Sequence, residues 1–142
     1  MSEKHLNLDK MAAELAQGMV AGAKELQHVK KAMDTLERLV TKTIGVLQEQ
    51  GVYAMMLFLF SRTGDEEKVA PGIRGRLFNA LGKLPPFSGK KDIPTEEADA
   101  HQALRFYSEN ILEDLDTLLL VRDLYEQTLI YARYGAKAAG GD

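Results

Sequence analysis

Residues 8–47 read LDKMAAELAQGMVAGAKELQHVKKAMDTLERLVTKTIGVL. Apolar and small residues recur here at spacings that alternate between four and three. One set is Leu8, Leu15, Gly22, Val29, Leu36 and Thr43; the other is Ala12, Met19, Leu26, Met33, Val40 and Leu47. This is the seam a helix presents to neighbouring helices, not the two-residue alternation of a strand. Gly18 and Gly22 weaken its first half, since a glycine inside a helix costs about 1 kcal/mol against alanine. A break or bend is therefore expected near Gly18–Gly22, giving one bent helix or two. The small residues Ala12, Ala16, Gly18, Gly22 and Ala23 also permit close approach of a second helix.

Outward from this seam the punctuation is helical too. Gly51 caps or bends the segment, and Val52–Ser61 follows as a short helix apolar on most sides, hence buried. Arg62–Lys68 reads as a turn built on Thr63-Gly64-Asp65. Ile73, Leu77, Leu81 and Leu84 then mark a helix, with Pro71 and Gly72 at its start and Pro85-Pro86 ending it. Residues 85–94, PPFSGKKDIP, form the clearest loop. The next helix is expected to start at Thr95, where Glu96 and Glu97 favour the helix dipole. It runs through His101, Leu104 and Tyr107 to a joint at Asn110. A last long helix is predicted over Ile111–Lys137, burying Leu115, Leu118, Val121, Tyr125, Leu129 and Ala132. The expected fold is all-α: a single-domain helical bundle of five to seven helices over 1–142, with no sheet, an exposed loop at 86–94 and a flexible C-terminus at 138–142.

The chain has 142 residues with 45% hydrophobic and 27% charged, an ordinary globular mixture. It has no Cys, which excludes disulfides, thiolate nucleophiles and Cys-based metal sites. Met1–Lys10 lacks the apolar core of a signal peptide. The longest uninterrupted apolar stretch, Val52–Phe60, has nine residues, against the about 20 that a spanning helix needs. No membrane association and a cytoplasmic location are expected.

Formal net charge is −3, which does not advertise a nucleic-acid binder. It conceals a partition. Lys68–Lys91 contains six cations (Lys68, Arg74, Arg76, Lys83, Lys90, Lys91) and no acid, whereas Thr95–Glu126 holds nine acids against Arg105 and Arg122. One reading is a bipolar surface, basic for phosphates and acidic for a basic partner. The other is that the two segments pair with each other in the folded monomer. Lys24, Lys31 and Arg38 are seven apart and therefore share one stripe of the first long helix, with Lys42 four beyond on the same side. Arg133 beside Tyr134 combines charge with an aromatic ring, the pairing that suits single-stranded nucleic acid. A basic stripe opposite an apolar seam also serves simply as a solvated face.

Catalytic motifs fail one by one. Glu25-Leu26-Gln27-His28 is a single E-x-x-H, and a di-iron bundle needs two plus two further glutamates. Glu97 and His101 have the wrong spacing. H-E-x-x-H, G-x-S-x-G and Walker A motifs are absent. Pro71–Arg76, PGIRGR, resembles a short anion-binding turn but has no preceding strand. No catalytic residue, metal site or cofactor is expected, and the chain reads as a non-enzyme.

Two stretches carry a family resemblance: Leu47–Arg62, LQEQGVYAMMLFLFSR, and Leu115–Ala138, LDTLLLVRDLYEQTLIYARYGAKA. A glycine-led apolar helix ending in a polar turn, then a long Leu-rich helix turning basic and aromatic, resembles the Cmr-type small subunit of type III CRISPR effector complexes. With no Trp in the last helix and no Pro before Gly51, the chain would be a divergent member. The resemblance implies a non-catalytic subunit whose copies self-associate along a filament beside other CRISPR effector subunits, next to guide RNA and target RNA. The charge pattern nominates the RNA contacts: Lys24, Lys31, Arg38, Lys42, Arg62, Arg74, Arg76 and Arg133. The alternative is a helical protein–protein adaptor that dimerises or docks a partner without nucleic acid.

Overall fold

The computed structural model describes residues 6–26, 28, 29 and 31–140. It is all-helical: α1 (Leu8–Lys24), α2 (Ala32–Gln50), α3 (Val52–Phe60), α4 (Gly64–Leu81), a 3-10 turn (Pro85–Phe87), α5 (Ala100–Asn110) and α6 (Leu115–Ala139), with no strand among the described residues. Helix α6 packs against α1 and α2 most extensively. Helix α4 leans on α1 and α2, and α3 bridges α2, α4 and α5.

The interruption in the first forty residues falls at 25–31, not at Gly18–Gly22. Both glycines lie inside α1, which ends at Lys24 with Glu25 as its C-cap. Helix α2 starts after Lys31, whose backbone is left-handed at φ 54°. The seam nevertheless survives the break. Ala12, Leu15, Met19, Val29, Leu36, Val40 and Leu47 are all buried, because α1 and α2 face the same helix, α6. Lys24, Lys31 and Arg38 therefore do not share one helical stripe: two lie at helix ends on either side of the gap.

Gly51 ends one helix and starts the next. Its N–H donates to the Leu47 carbonyl at 3.0 Å and its carbonyl accepts from Met55 N at 3.0 Å. The backbone there has φ 100°, a conformation that strongly favours glycine. Helix α3 is buried through Val52, Met55, Met56 and Leu59.

Three boundaries differ from expectation. The segment read as a turn is the first turn of α4, where Asp65, Glu66 and Glu67 complement the helix N-terminus. Pro71 lies inside α4 rather than at its start. It follows two turns of helix, and the carbonyl it leaves without a helical donor belongs to exposed Glu67. The next helix begins not at Thr95 but at Ala100. Asp99 caps it, accepting from Gln102 N at 2.8 Å while its own N–H donates to Gln102 Oε1 at 3.1 Å. Helix α6 starts at Leu115, capped by Asp114, and Leu115 is 66% exposed rather than buried. The 85–94 loop is anchored by buried Phe87 against Phe106. At the expected flexible C-terminus, Ala138 and Ala139 are helical and Gly140 caps α6; Gly141 and Asp142 lie outside the described residues.

The centre holds one polar relay. The Tyr107 hydroxyl hydrogen-bonds that of Tyr125, which donates to the Leu77 carbonyl at 3.0 Å. Burial pushes both phenols above their ordinary value, so each stays a neutral donor that ties α4, α5 and α6 together.

Candidate nucleic-acid interface

Helix α3 has no basic residue in its last turn, so the negative end of its dipole is met from outside. Arg62 Nε donates to the Phe58 carbonyl at 3.0 Å, with the guanidinium 3.7 Å over the Phe58 ring. Arg74 reaches back from α4, and its Nη1 donates to the Leu59 carbonyl at 3.0 Å, 4.1 Å over the Phe60 ring. Both are cation–π contacts that also cap the helix. Burial lowers the Arg74 pKa and the charge of Glu96 opposes that fall; the group stays charged.

Beside this cap, three cations converge on one carboxylate. Glu66 accepts from Lys42 Nζ at 2.8 Å and from Arg62 Nη1 at 3.3 Å, and Arg38 Nε stands 3.8 Å away. Burial alone would raise the Glu66 pKa, but the hydrogen bonds and charges of Lys42 and Arg62 outweigh it and hold the carboxyl below its ordinary value. The Glu66 side chain is 12% exposed, whereas those of Arg38 and Lys42 are 55% and 49% exposed. Three positive groups thus share one carboxylate, and Arg38 and Lys42 keep about half of their side-chain surface open to solvent. Two of them sit one helical turn apart on α2, flanked by Arg62 stacked on an aromatic ring.

The structure therefore brings together Arg38, Lys42 and Arg62 of the eight nominated residues. Arg74 lies next to them but points into α3. Arg76, two residues on, turns to the opposite neighbour: its guanidinium lies across Gly18 of α1. PGIRGR is thus a stretch of helix, not an anion-binding turn, and its two arginines diverge because residues two apart in a helix point about 200° apart. Lys24 lines a groove with Tyr131 and Gly135 between α1 and α6. Arg133 sits 5.6 Å over the Tyr134 ring, turned away from Gly135 by the same two-residue step. Lys31 is the N-cap residue of α2, away from the Glu66 corner.

Glu66 is the member that sequence reasoning missed. Its signal was present: three acids directly after Thr63-Gly64 mark a helix first turn. The residues it gathers come from α2 and from the α3–α4 junction, and no local pattern joins them. Among the described residues no cluster of His, Asp and Glu suits a metal ion, and no helix is long and apolar enough to cross a membrane. No protein-family model, curated protein or solved structure matches the chain.

Proposed function

We propose that the protein is a non-catalytic small subunit of a type III CRISPR RNA-guided effector complex, contacting guide or target RNA through the face built from Arg38, Lys42 and Arg62. The observation that carries this reading is their convergence on Glu66 while the Arg38 and Lys42 side chains remain about half exposed. Clustered Lys and Arg on rigid helices give sequence-independent phosphate contact, the mode a strand-supporting subunit requires. The helical architecture, the glycine-led α3 and the long α6 agree with the family resemblance. The acidic segment through α5 and the start of α6 offers a surface to basic neighbours, and such a heterologous contact propagates into a filament.

The test is the assembled complex. Arg38→Glu with Lys42→Glu should weaken target-RNA affinity by about 10–100-fold and reduce the salt dependence of binding by a slope of about 1.4, the share of two phosphate contacts on a single strand. Unchanged affinity with assembly intact overturns the assignment of that face.

The adaptor reading draws on a different observation. Leu115 and Leu119, four apart on α6, are exposed, as is Leu112 in the turn before it, and neighbouring exposed apolar groups mark protein contacts. Purification from the native host separates the two readings. Co-purifying guide RNA and effector subunits support the first; protein partners without RNA support the second.

A further inference from the structure

A cleft of about 360 Å³ opens between α1, α4 and the segment before α5. That size falls in the roughly 300–1,000 Å³ range of small-ligand sites. Its floor is apolar: Met19, Leu36 and Ile73 are each at most 3% exposed. Its rim is charged, with Lys68 and Arg76 from α4, Glu25 from the end of α1 and Glu96 from the loop. Among the described residues Lys68 and Arg76 make no hydrogen bond or ion pair, unlike the cations gathered on Glu66.

Three glycines line this cleft: Gly18, Gly22 and Gly72. Gly18 and Gly22 lie one turn apart inside α1, each weakening the helix by about 1 kcal/mol relative to alanine. Their surroundings differ. A Cβ on Gly18 would come within 2.6 Å of the Arg76 guanidinium, so the absent side chain is what lets Arg76 lie across α1. A Cβ on Gly22 or Gly72 would meet nothing within 4 Å, so these two leave open wall above the apolar floor. Glu96 is seated similarly, packed over the Cα of Gly75. It stands with Arg76 on the ridge between this cleft and a second hollow lined by Asn79 and Thr95.

We propose that the cleft binds a single nucleotide, free or extruded from a strand, whose base carries an exocyclic amine. The base lies on the apolar floor between the glycine walls. Lys68 and Arg76 hold the phosphate, Arg76 through its planar fork. Glu25 or Glu96 accepts from the amine. Each part of the nucleotide has a chemical counterpart among these residues, and the site is independent of the RNA-contacting face at Arg38 and Lys42.

The test is a titration of the full chain with AMP, CMP, UMP and inorganic phosphate, followed by NMR. AMP and CMP should bind with Kd of about 0.1–1 mM, and UMP, which lacks the amine, about tenfold more weakly. Gly18→Ala should evict Arg76 and weaken AMP binding about tenfold, the loss of one charge-assisted contact, while remaining folded with an unreduced melting temperature. Gly22→Leu should block the cleft with Arg76 still in place, whereas Gly22→Ala should bind within about threefold of wild type. A six-residue oligocytidylate that displaces AMP identifies a strand as the source; one that does not identifies the free nucleotide. Absence of AMP binding at about 10 mM, equal binding by phosphate alone, or wild-type affinity in both Gly18→Ala and Gly22→Leu overturns the proposal. None of these outcomes bears on the charge-reversal test at Arg38 and Lys42.

Discussion

Two corners of the molecule hold several cations beside carboxylates, and they use them differently. At the α3–α4 corner, Arg62 and Arg74 terminate α3, and Glu66 gathers Arg38, Lys42 and Arg62. The charge there is built into the fold before any ligand arrives. In the α1–α4 cleft, Arg76 rests on a glycine and neither it nor Lys68 pairs with Glu25 or Glu96. Here the fold itself needs the charges little. A count of basic residues does not separate these cases. What separates them is whether a backbone carbonyl or a buried acid already takes the hydrogen bonds.

The strongest way to break the contrast is at Glu66. Glu66→Gln keeps the shape and removes the charge that holds three cations together, so a loss of about 2 kcal/mol in urea unfolding at neutral pH is expected. The pH dependence has a definite sign. The folded carboxyl titrates below its ordinary 4.5, so its contribution is present above about that value and is lost as pH falls through the lower folded value. The gap between wild type and Glu66→Gln should therefore close in acid. A gap that keeps its full size from neutral pH down to the onset of acid unfolding would show that the carboxylate charge is not what holds the corner.

This hub was illegible in the sequence because its two halves, Arg38 with Lys42 and Arg62 with Glu66, lie some twenty residues apart in the chain and Glu66 sits in a stretch that reads as a turn. The general architecture was legible, since the apolar period in residues 8–47 and 115–132 has one physical meaning, a helix with one face turned to its neighbours. Local boundaries were legible where one residue acts alone, as Gly51 does. They failed where two signals competed. Pro71 resembles a helix start, but the acids at 65–67 mark the earlier one. Thr95 resembles a cap, but Asp99 with Gln102 makes both reciprocal bonds. The break at 25–31 has no glycine or proline, so nothing local announces it; the two glycines that do stand out, Gly18 and Gly22, answer to Arg76 and to open space.

The arginine pair in α4 sharpens the contrast within one helix. Arg74→Met removes a cap from α3 and a cation from the Phe60 ring, and should cost about 1.5 kcal/mol in thermal or urea unfolding. Arg76→Met, two residues away, should change stability by less than about 0.5 kcal/mol, as an exposed substitution with no partner does. Equal losses at the two positions would mean that Arg76 is as much a part of the fold as Arg74.

The finest distinction lies between the two glycines of α1. Gly22→Ala meets no neighbour and should stabilise by about 1 kcal/mol, the full propensity gain. Gly18→Ala has the same intrinsic gain but must move the Arg76 guanidinium. The moved group is the end of a flexible, exposed side chain, so the shortfall relative to Gly22→Ala should be only about 0.3–0.5 kcal/mol. A double-mutant cycle isolates it. In an Arg76→Ala background the two alanine substitutions should stabilise equally, because the side chain that lay across residue 18 then ends at its Cβ. If the shortfall persists without the guanidinium, the backbone of α1 itself resists a side chain at residue 18, and the glycine is there for helix packing and not for the placement of Arg76.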